Sequence, residues 1–463
     1  MAHQQDARGR GEGESPALKP RGETIAAIAT PPGRGGIGVV RVSGDLAHSI
    51  AKAITGVEPA PRHATVASFR SGDGSVIDRG IALVFVAPHS YTGEDVLELQ
   101  GHGGPMVMRQ LLQRCVELGA RLAQPGEFTQ RAFLNERLDL AQAESVADLI
   151  DASSVEAARS AARSLAGDFS RRVHALVDSL IRLRMHVEAC IDFPEEEIDP
   201  ADRMEQHKQL GAIHLELEEL LSEARQGAVL RDGLTVVLIG RPNVGKSSLL
   251  NRLAGDEVAI VTPIAGTTRD HVRATVSLSG VPIHLIDTAG LRVAGDEIER
   301  IGIERTWVAI ESAGAALYIT DVNTADDGDE RAHLARLPSA MPHLRVMNKV
   351  DLTQDLPGAD REGSNLIRVS AKTGAGLDVL RSWLLETAGW KPHGEGLFMA
   401  RARHLAALQE SRKHLLSAAA KDQPFELMAE ELRLGQQGLS QITGEFGADD
   451  LLGVIFSRFC IGK

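Results

Sequence analysis

Apolar and polar positions alternate in short runs through the N-terminal region of the chain. Four such runs predict β-strands, and helical spacing at about 45–54 and 105–118 predicts helices between them. The predicted strands are Thr24–Ala29, Gly38–Val42, Ile81–Val86 and Val96–Gln100. Strands mixed with helices over this length predict a small α+β domain.

The spacing becomes helical from about Leu138 to Gln226. Apolar residues such as Val173, Leu180 and Leu217 recur on one helical face, and Asp192 followed by Phe193-Pro194 ends one long helix. This pattern predicts long helices packed against each other in an antiparallel bundle.

From Gly233 the pattern is that of buried strands separated by helices, and near residue 391 it becomes helical again. The short apolar runs are Thr235–Ile239, Ile283–Ile286, Ala316–Thr320 and Leu344–Met347. Such alternation is typical of a doubly wound α/β domain. A helical domain formed from both flanks then surrounds an inserted α/β domain, because domain termini usually lie close together.

These patterns together predict a multidomain chain. We predict an N-terminal α+β domain, a discontinuous helical domain and an inserted α/β domain. Their boundaries are a disordered extension at 1–22, the α+β domain at 23–137, an N-terminal helical segment at 138–232, the α/β domain at 233–390, and a C-terminal helical segment with the tail at 391–463.

Composition excludes several classes of protein. The formal net charge is −13 and aromatic residues make up 3% of the 463 residues, which argues against a phosphate-coating nucleic-acid binder and a base-stacking surface. No apolar run approaches the roughly 18 residues of a membrane span. The three cysteines form no disulfide framework and fit a reducing compartment. We therefore expect a cytoplasmic protein that does not associate with membranes.

A phosphate-binding motif follows the strand predicted at Thr235–Ile239. Gly240 to Ser247 fits the pattern G-x-x-x-x-G-K-[ST] and opens a predicted helix. Backbone N–H groups of such a loop surround phosphates at a helix N-terminus, Lys246 supplies charge to the β- and γ-phosphates, and Ser247 ligates Mg²⁺. The predicted nucleotide contacts here are Asn243, Val244, Gly245, Lys246, Ser247 and Ser248.

Two motifs further along indicate how a triphosphate and its Mg²⁺ are held. Asp287 ends a predicted strand and points toward Mg²⁺, and the Thr288-Ala289-Gly290 that follows lets Gly290 turn toward the γ-phosphate. Between the P-loop and Asp287 lies Gly266-Thr267-Thr268, in which Thr268 is our candidate for the switch threonine that reaches Mg²⁺.

Two more motifs favour guanine over adenine. Asp351, in Asn348-Lys349-Val350-Asp351, can accept two hydrogen bonds from the guanine edge, and adenine offers no such donor pair. Ser370-Ala371-Lys372 follows another predicted strand and can contact the base oxygen. The sequence therefore predicts GTP rather than ATP, and it predicts that the inserted α/β domain at 233–390 is a P-loop G domain.

The residue after the Asp287-Thr288-Ala289-Gly290 motif changes the expected mechanism. Small signalling GTPases have a glutamine there that orients the attacking water, whereas this chain has Leu291, which cannot hydrogen-bond water. Glu299, in the acidic stretch that follows, is a candidate for that role. From these residues alone, a solvated helix charge is the alternative interpretation of Glu299.

Motifs outside the G domain resemble one family closely, the MnmE (TrmE) tRNA-modification GTPases. The resemblance runs from about Thr24 to Lys463. The motifs that carry it are Ala29-Thr30-Pro31-Pro32-Gly33-Arg34-Gly35-Gly36-Ile37-Gly38, Tyr91-Thr92-Gly93-Glu94-Asp95, Gly101-His102-Gly103-Gly104-Pro105, Pro125-Gly126-Glu127-Phe128-Thr129 and Phe459-Cys460-Ile461-Gly462-Lys463.

The resemblance implies an architecture and a reaction. It implies a homodimer that acts with the flavoprotein MnmG as a heterotetramer, with FAD and NADH contributed through that partner. Together they install an aminomethyl-type or carboxymethylaminomethyl group on carbon 5 of the wobble uridine of certain tRNAs. The one-carbon unit comes from a tetrahydrofolate derivative (5-formyl or 5,10-methylene).

The resemblance also implies roles for individual residues. The nucleotide contacts extend to Thr262, Pro263, Ile264, Ala265, Gly266 and Thr267. A K⁺ ion replaces an arginine finger, with Asn243, Thr262, Ile264 and Thr267 as the matching ligands. Glu299 matches the family residue that orients water through a bridging water.

The folate positions of the family match Arg41, Glu98, Arg137 and the C-terminal Lys463. Chemically, Glu98 suits the amide and amino edge of a pterin, and Arg41 and Arg137 suit an anionic tail. Arg137 departs from the lysine that some members carry. Cys460 is the candidate reactive thiol, and its alternative interpretation is a small buried hydrophobe.

Two other functions stay open at this point. One is a GTP-switched RNA-binding or ribosome-assembly factor, although such proteins carry a basic module after the G domain, and here Glu426, Glu430 and Glu431 are acidic. The other is a folate-dependent aminomethyl transferase without coupling to GTP, which the full set of nucleotide motifs disfavours.

Overall fold

The structure is a computed structural model, and it divides the chain into two compact units. The units are Met1–Asp139 with Gly447–Lys463, and Leu140–Phe446. The described residues are 23–192, 200–241, 243–255, 272–287, 313–322, 335–353, 355–359, 365–391, 396–420 and 423–445, with Ile455, Phe456, Phe459 and Gly462.

Between residues 23 and 139, the first unit contains a six-stranded sheet and three helices. The strands are β1 Ile25–Ile28, β2 Gly35–Ser43, β3 Thr65–Arg70, β4 Val76–Phe85, β5 Val96–Gly103 and β6 Arg121–Leu122. The helices are α1 Ala47–Thr55, α2 Pro105–Glu117 and α3 Glu127–Leu134. The strand order is β3-β4-β5-β2-β1-β6, and the pairs are antiparallel except β1 with β6.

One face of this sheet is packed under α1 and α2. Val40, Leu97 and Leu99 are fully buried and share a core with Ile50 of α1 and Leu111 of α2. Because side chains alternate along a strand, the neighbouring residues of β2 and β5 lie on the opposite face. That second face carries polar residues, among them Arg41 on β2 and Glu98 on β5.

The second unit contains eight described helices and a second sheet. The helices are α4 Leu140–Asp151, α5 Val155–Leu165, α6 Asp168–Asp192, α7 Pro200–Asp232, α8 Lys246–Ala254, α9 Leu377–Thr387, α10 Ala402–Ala418 and α11 Phe425–Thr443. The strands are β7 Leu234–Ile239, β8 Val272–Leu278, β9 Val281–Asp287, β10 Ala315–Asp321, β11 His343–Asn348, β12 Gly358–Ala359 and β13 Leu366–Arg368.

The long helices pack around their own apolar core. Phe169 and Leu180 of α6, Leu217 of α7, Leu408 of α10 and Leu432 of α11 are all buried in one cluster. The chain leaves this bundle at the end of α7 and returns to it at α10. A helical region formed from both flanks of the second sheet follows from that path.

The second sheet is buried on both faces, as expected for a doubly wound domain. Its order is β12-β13-β11-β10-β7-β9-β8, with β7, β9, β10, β11 and β13 parallel. Val236 and Leu238 of β7 belong to one core, and Val237 and Ile239 belong to the core on the other side. Continuous burial explains why β7 reads as an uninterrupted apolar run.

The predicted fold class is confirmed by this architecture. The predicted strands at 235–239, 283–286, 316–320 and 344–347 lie within β7, β9, β10 and β11. The predicted domain boundaries stay predictions, since both G-domain boundaries fall inside the second unit. Over the described ranges, none of the helices combines the length and the apolar character that a membrane span requires.

Candidate functional site

The carboxyl ends of five parallel strands meet at one edge of the second sheet. β7, β9, β10, β11 and β13 bring Gly240, Asp287, Asp321, Asn348 and Ser370 to this edge. In open α/β sheets this is where ligands bind. The edge therefore gathers the nucleotide motifs that the sequence predicts.

The loop after β7 has the backbone that a phosphate cradle requires. Gly240 has a φ of +152°, and a Cβ there would lie 2.3 Å from the carbonyl oxygen of Ile319. Asn243 and Gly245 adopt left-handed φ values of +65° and +98°, and Gly245 directly precedes α8. The loop thus opens into a helix N-terminus, whose free N–H groups and dipole favour phosphate. Ser247 and the residue after it are exposed on the first turn of α8.

Asn348 joins the phosphate loop to the loop after β13, which carries Ser370-Ala371-Lys372. Its Nδ2 donates to the carbonyl of Val244 at 2.9 Å, and its Oδ1 accepts from the backbone N–H of Ala371 at 3.0 Å. A Cβ on Gly245 would lie 2.3 Å from that Nδ2, so only glycine fits there. Because Asn348 is 1% exposed, losing one of these bonds would leave a buried polar group unpaired.

Lys246 is held inside the curve of the phosphate loop. It is 7% exposed, and its Nζ donates to the carbonyl oxygens of Gly240 at 2.6 Å and Arg241 at 3.0 Å. These contacts place the ammonium where it can neutralise phosphate oxygens.

A second lysine crosses from the end of β11 to the same loop. Lys349 has a φ of +67°, and its Nζ donates to the carbonyl of Asn243 at 2.9 Å and to the carboxylate of Asp321. Asp321 ends β10, and sequence reasoning does not identify it. The sequence signal that could have identified Asp321 is an acidic residue at the carboxyl end of a buried strand.

The predicted guanine-binding carboxylate is fixed by the predicted base loop. The buried hydroxyl of Ser370 donates to Oδ1 of Asp351 at 2.6 Å and accepts from the N–H of Thr373 at 3.1 Å. Asp351 itself is exposed, as is Lys372. A carboxylate that is oriented through one oxygen and open to solvent suits the two adjacent N–H donors of guanine.

Asp351→Asn is expected to weaken GTP binding by at least ~2 kcal/mol, because hydrogen bonds to a charged group are lost. Affinity for xanthosine triphosphate should rise, since the amide can donate to the added oxygen. Titration with both nucleotides measures this exchange. Asp355→Asn, at an exposed carboxylate nearby, serves as the control. Unchanged GTP affinity in Asp351→Asn would remove Asp351 from the site.

Several predicted residues lie outside the described ranges. They are Thr262, Pro263, Ile264, Ala265, Gly266, Thr267, Thr268, Thr288, Ala289, Gly290, Glu299, Cys460 and Lys463. For Asp287 the backbone is described, with Leu238 of β7 as its register partner. Among the residues that are described, no three His, Cys, Asp or Glu side chains gather into a metal-binding group.

The first unit brings two of the predicted folate residues together. Arg41 on β2 and Glu98 on β5 are register partners, and Nε and Nη2 of Arg41 donate to Oε1 of Glu98 at 3.0 and 2.8 Å. The Arg41 guanidinium also lies 5.3 Å from the ring centre of Tyr91 and 5.8 Å from that of Phe128. The two rings and the carboxylate hold the guanidinium in one position.

The aromatic residues come from two of the loops that carry the family resemblance. The hydroxyls of Tyr91 and Thr129 are 2.8 Å apart, and Nη1 of Arg131 donates to Glu94 at 2.8 Å. Burial raises the pKa of Tyr91, which keeps its phenol neutral. The loop with Tyr91 and the first turn of α3, which carries Phe128, are therefore joined to each other. Sequence reasoning does not assign either aromatic residue to the site, although aromatic residues are rare in this chain.

Glu127 anchors the base of that turn. Burial opposes its ionisation, but hydrogen bonds from Arg121, the Gln124 N–H and Arg131 prevail and lower the pKa of Glu127 to about 2. The carboxylate thus stays charged and bridges two arginines at neutral pH.

Arg137 lies beside the same loop. It is exposed, and its Cγ would be 3.3 Å from a Cβ on Gly93, two residues after Tyr91. The structure therefore brings Arg41 and Glu98 into direct contact and places Arg137 against the neighbouring loop.

Residues near the C-terminus also pack onto the first unit. A Cβ on Gly126 would lie 2.6 Å from the carbonyl oxygen of Phe456 and 2.9 Å from Cβ of Phe459. A Cβ on Gly462 would lie 2.4 Å from the carbonyl oxygen of Ile28 in β1. These close approaches bring the described residues on either side of position 460 against the sheet and the Glu127 turn.

Two family models match this chain. A family model described as the GTP-binding protein TrmE N-terminus matches residues 24–137, and one described as the MnmE helical domain matches residues 140–460.

The chain is similar over nearly its full length to curated proteins. It is 59% identical to the tRNA modification GTPase MnmE of Azoarcus sp. over 443 residues, covering 95% of this chain and 98% of that protein. It is 57% identical to the protein of the same name from Chromobacterium violaceum over 442 residues, with 95% and 98% covered. A solved structure of Aquifex aeolicus Era bound to GDP and aluminium fluoride covers 41% of this chain and 68% of its own, at 26% identity and a TM-score of 0.27.

Proposed function

This chain belongs to the MnmE family of tRNA-modification GTPases, and from this premise we propose that it couples K⁺-stimulated GTP hydrolysis to modification of the wobble uridine of certain tRNAs. It is a GTPase that takes part in tRNA modification. The proposal concerns the finer chemistry: the ion, the one-carbon donor, the partner and the residues.

Different residues of the nucleotide site bind the phosphates, Mg²⁺ and the guanine base. Lys246 neutralises the β- and γ-phosphates, Ser247 and Thr268 hold Mg²⁺ with Asp287 nearby, and Asp351 with Ser370 reads guanine. Leu291 cannot orient water, so Glu299 takes that role through a bridging water. Asn243, Thr262, Ile264 and Thr267 are the proposed K⁺ ligands, and the left-handed, exposed Asn243 is consistent with a ligand that faces out of the loop.

The residues of the first unit fit a tetrahydrofolate derivative. Glu98 is held through one carboxylate oxygen by Arg41, and a carboxylate so held suits the amide and amino edge of a pterin. Arg41 and Arg137 supply positive charge for an anionic tail, and Lys463 is the C-terminal contact. When bound, the folate supplies a one-carbon unit.

The observation that carries the proposal is the path of the C-terminal residues. Gly462 contacts the carbonyl of Ile28, one residue along β1 from Ala27, and Ala27 is the register partner of Arg41. Phe459 contacts the turn whose Phe128 packs on the Arg41 guanidinium. Cys460 lies between these two contact points in sequence, which supports a thiol that works beside the folate.

The remaining elements of the proposal follow from family membership. The chain acts as a cytoplasmic homodimer with an MnmG-type flavoprotein, which contributes FAD and NADH, and with tRNA as substrate. Its domains are 23–137 for folate and dimerisation, 138–232 with 391–463 as the helical domain, and 233–390 as the G domain.

Mass spectrometry of tRNA from a deletion strain tests this function. We expect wobble uridines to lose the aminomethyl-type group and to regain it when the wild-type gene is restored. Restoration by a Lys246→Ala variant would show that modification is not coupled to GTP. Fully modified uridines in the deletion strain would instead favour a ribosome-assembly role.

The K⁺ assignment predicts a difference between salts. Hydrolysis should be faster in K⁺ than in Na⁺ at equal ionic strength. The proposed K⁺ supplies the positive charge of an arginine finger, and Leu291 stands where other GTPases have the glutamine that orients water. Asn243→Ala should abolish the difference, and Arg241→Ala, at an exposed neighbour in the same loop, should retain it. Equal rates in the two salts for the wild-type protein would contradict the assignment.

A further inference from the structure

One helical hairpin reaches into the core of the second sheet. We use the name α4–α5 hairpin for Leu140–Leu165. Ala157 and Ala161 of α5 are 1% and 0% exposed, and they share a core with Val276 of β8 and Val281 and Ile283 of β9. Although the sequence assigns α5 to the helical domain, its small residues contribute to the packing of the nucleotide-binding sheet.

Ser154 connects this hairpin to the turn between β8 and β9. Its hydroxyl donates to the carbonyl of Gly280 at 2.7 Å, and the same oxygen accepts from the N–H of Ala157 at 3.1 Å. The second bond caps the N-terminus of α5. One side chain therefore both starts a helix and holds the β8–β9 turn.

Residues of the β8–β9 hairpin contact the start of α5 and the end of α7. A Cβ on Gly280, which has a φ of +85°, would lie 2.7 Å from Cβ of Glu156 in α5. A Cβ on Gly233, which follows α7, would lie 2.0 Å from the carbonyl oxygen of Pro282 in β9. The turn thus lies against the Glu156 side chain at the start of α5, and the carbonyl of Pro282, two residues further on, lies against the backbone that follows α7.

The α4–α5 hairpin also binds the two segments that connect the sheet to the helices. Asp148 accepts from Arg231 at 2.9 Å, just before β7, and from Arg401 at 2.8 Å, just before α10. The hydroxyl of Ser164 accepts from the N–H of Met399 at 2.8 Å. The hairpin is therefore fastened at three points around the nucleotide-binding sheet, and Ser154 provides the contact with its β8–β9 turn.

The β8–β9 pair connects the α4–α5 hairpin to the edge of the sheet where the phosphate loop begins. β9 runs from Val281 beside this turn to Asp287, and it pairs with β7, which leads into the phosphate loop. Energetic coupling between separated sites is carried by hydrogen-bond networks and rigid secondary-structure elements, and β9 with its paired neighbours is such an element.

We propose that the α4–α5 hairpin is a positioning element for GTP hydrolysis, in which Ser154 fixes the β8–β9 turn and through β9 the position of Asp287. Ser154 touches neither nucleotide nor ion, so it acts only through the strand. The proposal rests on the proposed role of Asp287 toward Mg²⁺. By linkage, the nucleotide state at Asp287 biases the same helical hairpin in return.

Three substitutions separate the two bonds of Ser154. Ser154→Thr keeps both, because its hydroxyl can cap α5 and donate to Gly280. Ser154→Asp keeps the cap but cannot donate to a carbonyl, and Ser154→Ala loses both bonds. Ser153→Ala is the matched control one residue earlier.

In the full-length protein we expect Ser154→Asp to raise the Mg²⁺ concentration for half-maximal GTP hydrolysis by at least ~5-fold. GDP affinity without Mg²⁺ and the thermal midpoint should stay near wild type, because base recognition and the cap are kept. Amide hydrogens of residues 279–281 should exchange faster than in Ser153→Ala. Ser154→Thr should restore wild-type values in all these measurements.

Wild-type Mg²⁺ dependence and exchange in Ser154→Asp would overturn the proposal, as would a Ser154→Thr protein that behaves like Ser154→Ala. Asp287→Asn separates this failure from failure of the underlying role. If Asp287→Asn raises the Mg²⁺ requirement and Ser154→Asp does not, only the positioning inference is wrong. If Asp287→Asn leaves the requirement unchanged, the role proposed for Asp287 is wrong as well.

Discussion

Replacing Cys460 with serine is expected to lower wobble-uridine modification by at least ~100-fold, because a hydroxyl near neutral pH is far less nucleophilic than a thiol with a partial thiolate population. GTP hydrolysis and its K⁺ stimulation should stay at wild-type levels. The nucleotide residues lie in the second unit and the flanks of Cys460 contact the first. Nothing in the phosphate or guanine contacts requires a thiol.

Two variants make this test specific. Cys190→Ser changes another cysteine, on α6, and should leave modification intact. Gly462→Ala keeps the thiol but introduces a Cβ 2.4 Å from the Ile28 carbonyl, so it should reduce modification by displacing the tail. A Cys460→Ser protein that modifies tRNA at the wild-type rate would show that the cysteine is structural. Loss of GTPase activity in the same variant would mean that the tail acts on the G domain.

Glu299→Ala is expected to lower kcat for GTP hydrolysis by ~100-fold or more, while GTP affinity stays near wild type. A group that orients the attacking water contributes mainly in the transition state, so kcat falls and binding does not. The expectation depends on Leu291, since no glutamine is present to do this work. Single-turnover hydrolysis and nucleotide titration separate the two quantities.

Glu297→Ala is the matched control for that measurement, because it removes a carboxylate from the same acidic stretch. It should hydrolyse GTP normally. Normal turnover in Glu299→Ala would make Glu299 a solvated surface charge. A parallel fall in both variants would point to the net charge of the segment rather than to one residue.

Much of the fold could be predicted because its strands and helices carry clear periodic patterns. β7 is buried on both faces and reads as an apolar run, and the helical spacing of Val173, Leu180 and Val187 matches the buried residues of α6. The phosphate loop could be predicted because its chemistry requires glycine and lysine at fixed spacing.

Edge strands and polar strands escaped prediction. β3 carries Val66 at 63% exposure, so its apolar residues do not mark one buried face. β8 reads Val-Arg-Ala-Thr-Val-Ser-Leu and buries Val276 and Leu278, but its alternating polar residues distinguish it from the continuous apolar run that marks β7.

The sequence marks candidate site residues by their motifs, but it does not mark the contacts by which one residue supports another. Asp351 is marked by its motif, but its partner Ser370 is joined to it only through the fold. Ser154 and Gly280 are 126 positions apart, and an ordinary serine before a helix reads only as a cap. Asp321 likewise becomes informative once Lys349 is seen to contact it.

The packing of Gly462 against Ile28 has a consequence for synthesis on the ribosome. Gly462 emerges roughly 430 residues after Ile28, which at 5–20 residues per second is a delay of about 20–90 s. The sheet of the first unit can form long before that contact exists, whereas the tail contact forms only when translation reaches the C-terminal segment. We therefore expect a prematurely terminated chain that retains the second unit to hydrolyse GTP without modifying tRNA, because it would lack the proposed reactive thiol of Cys460.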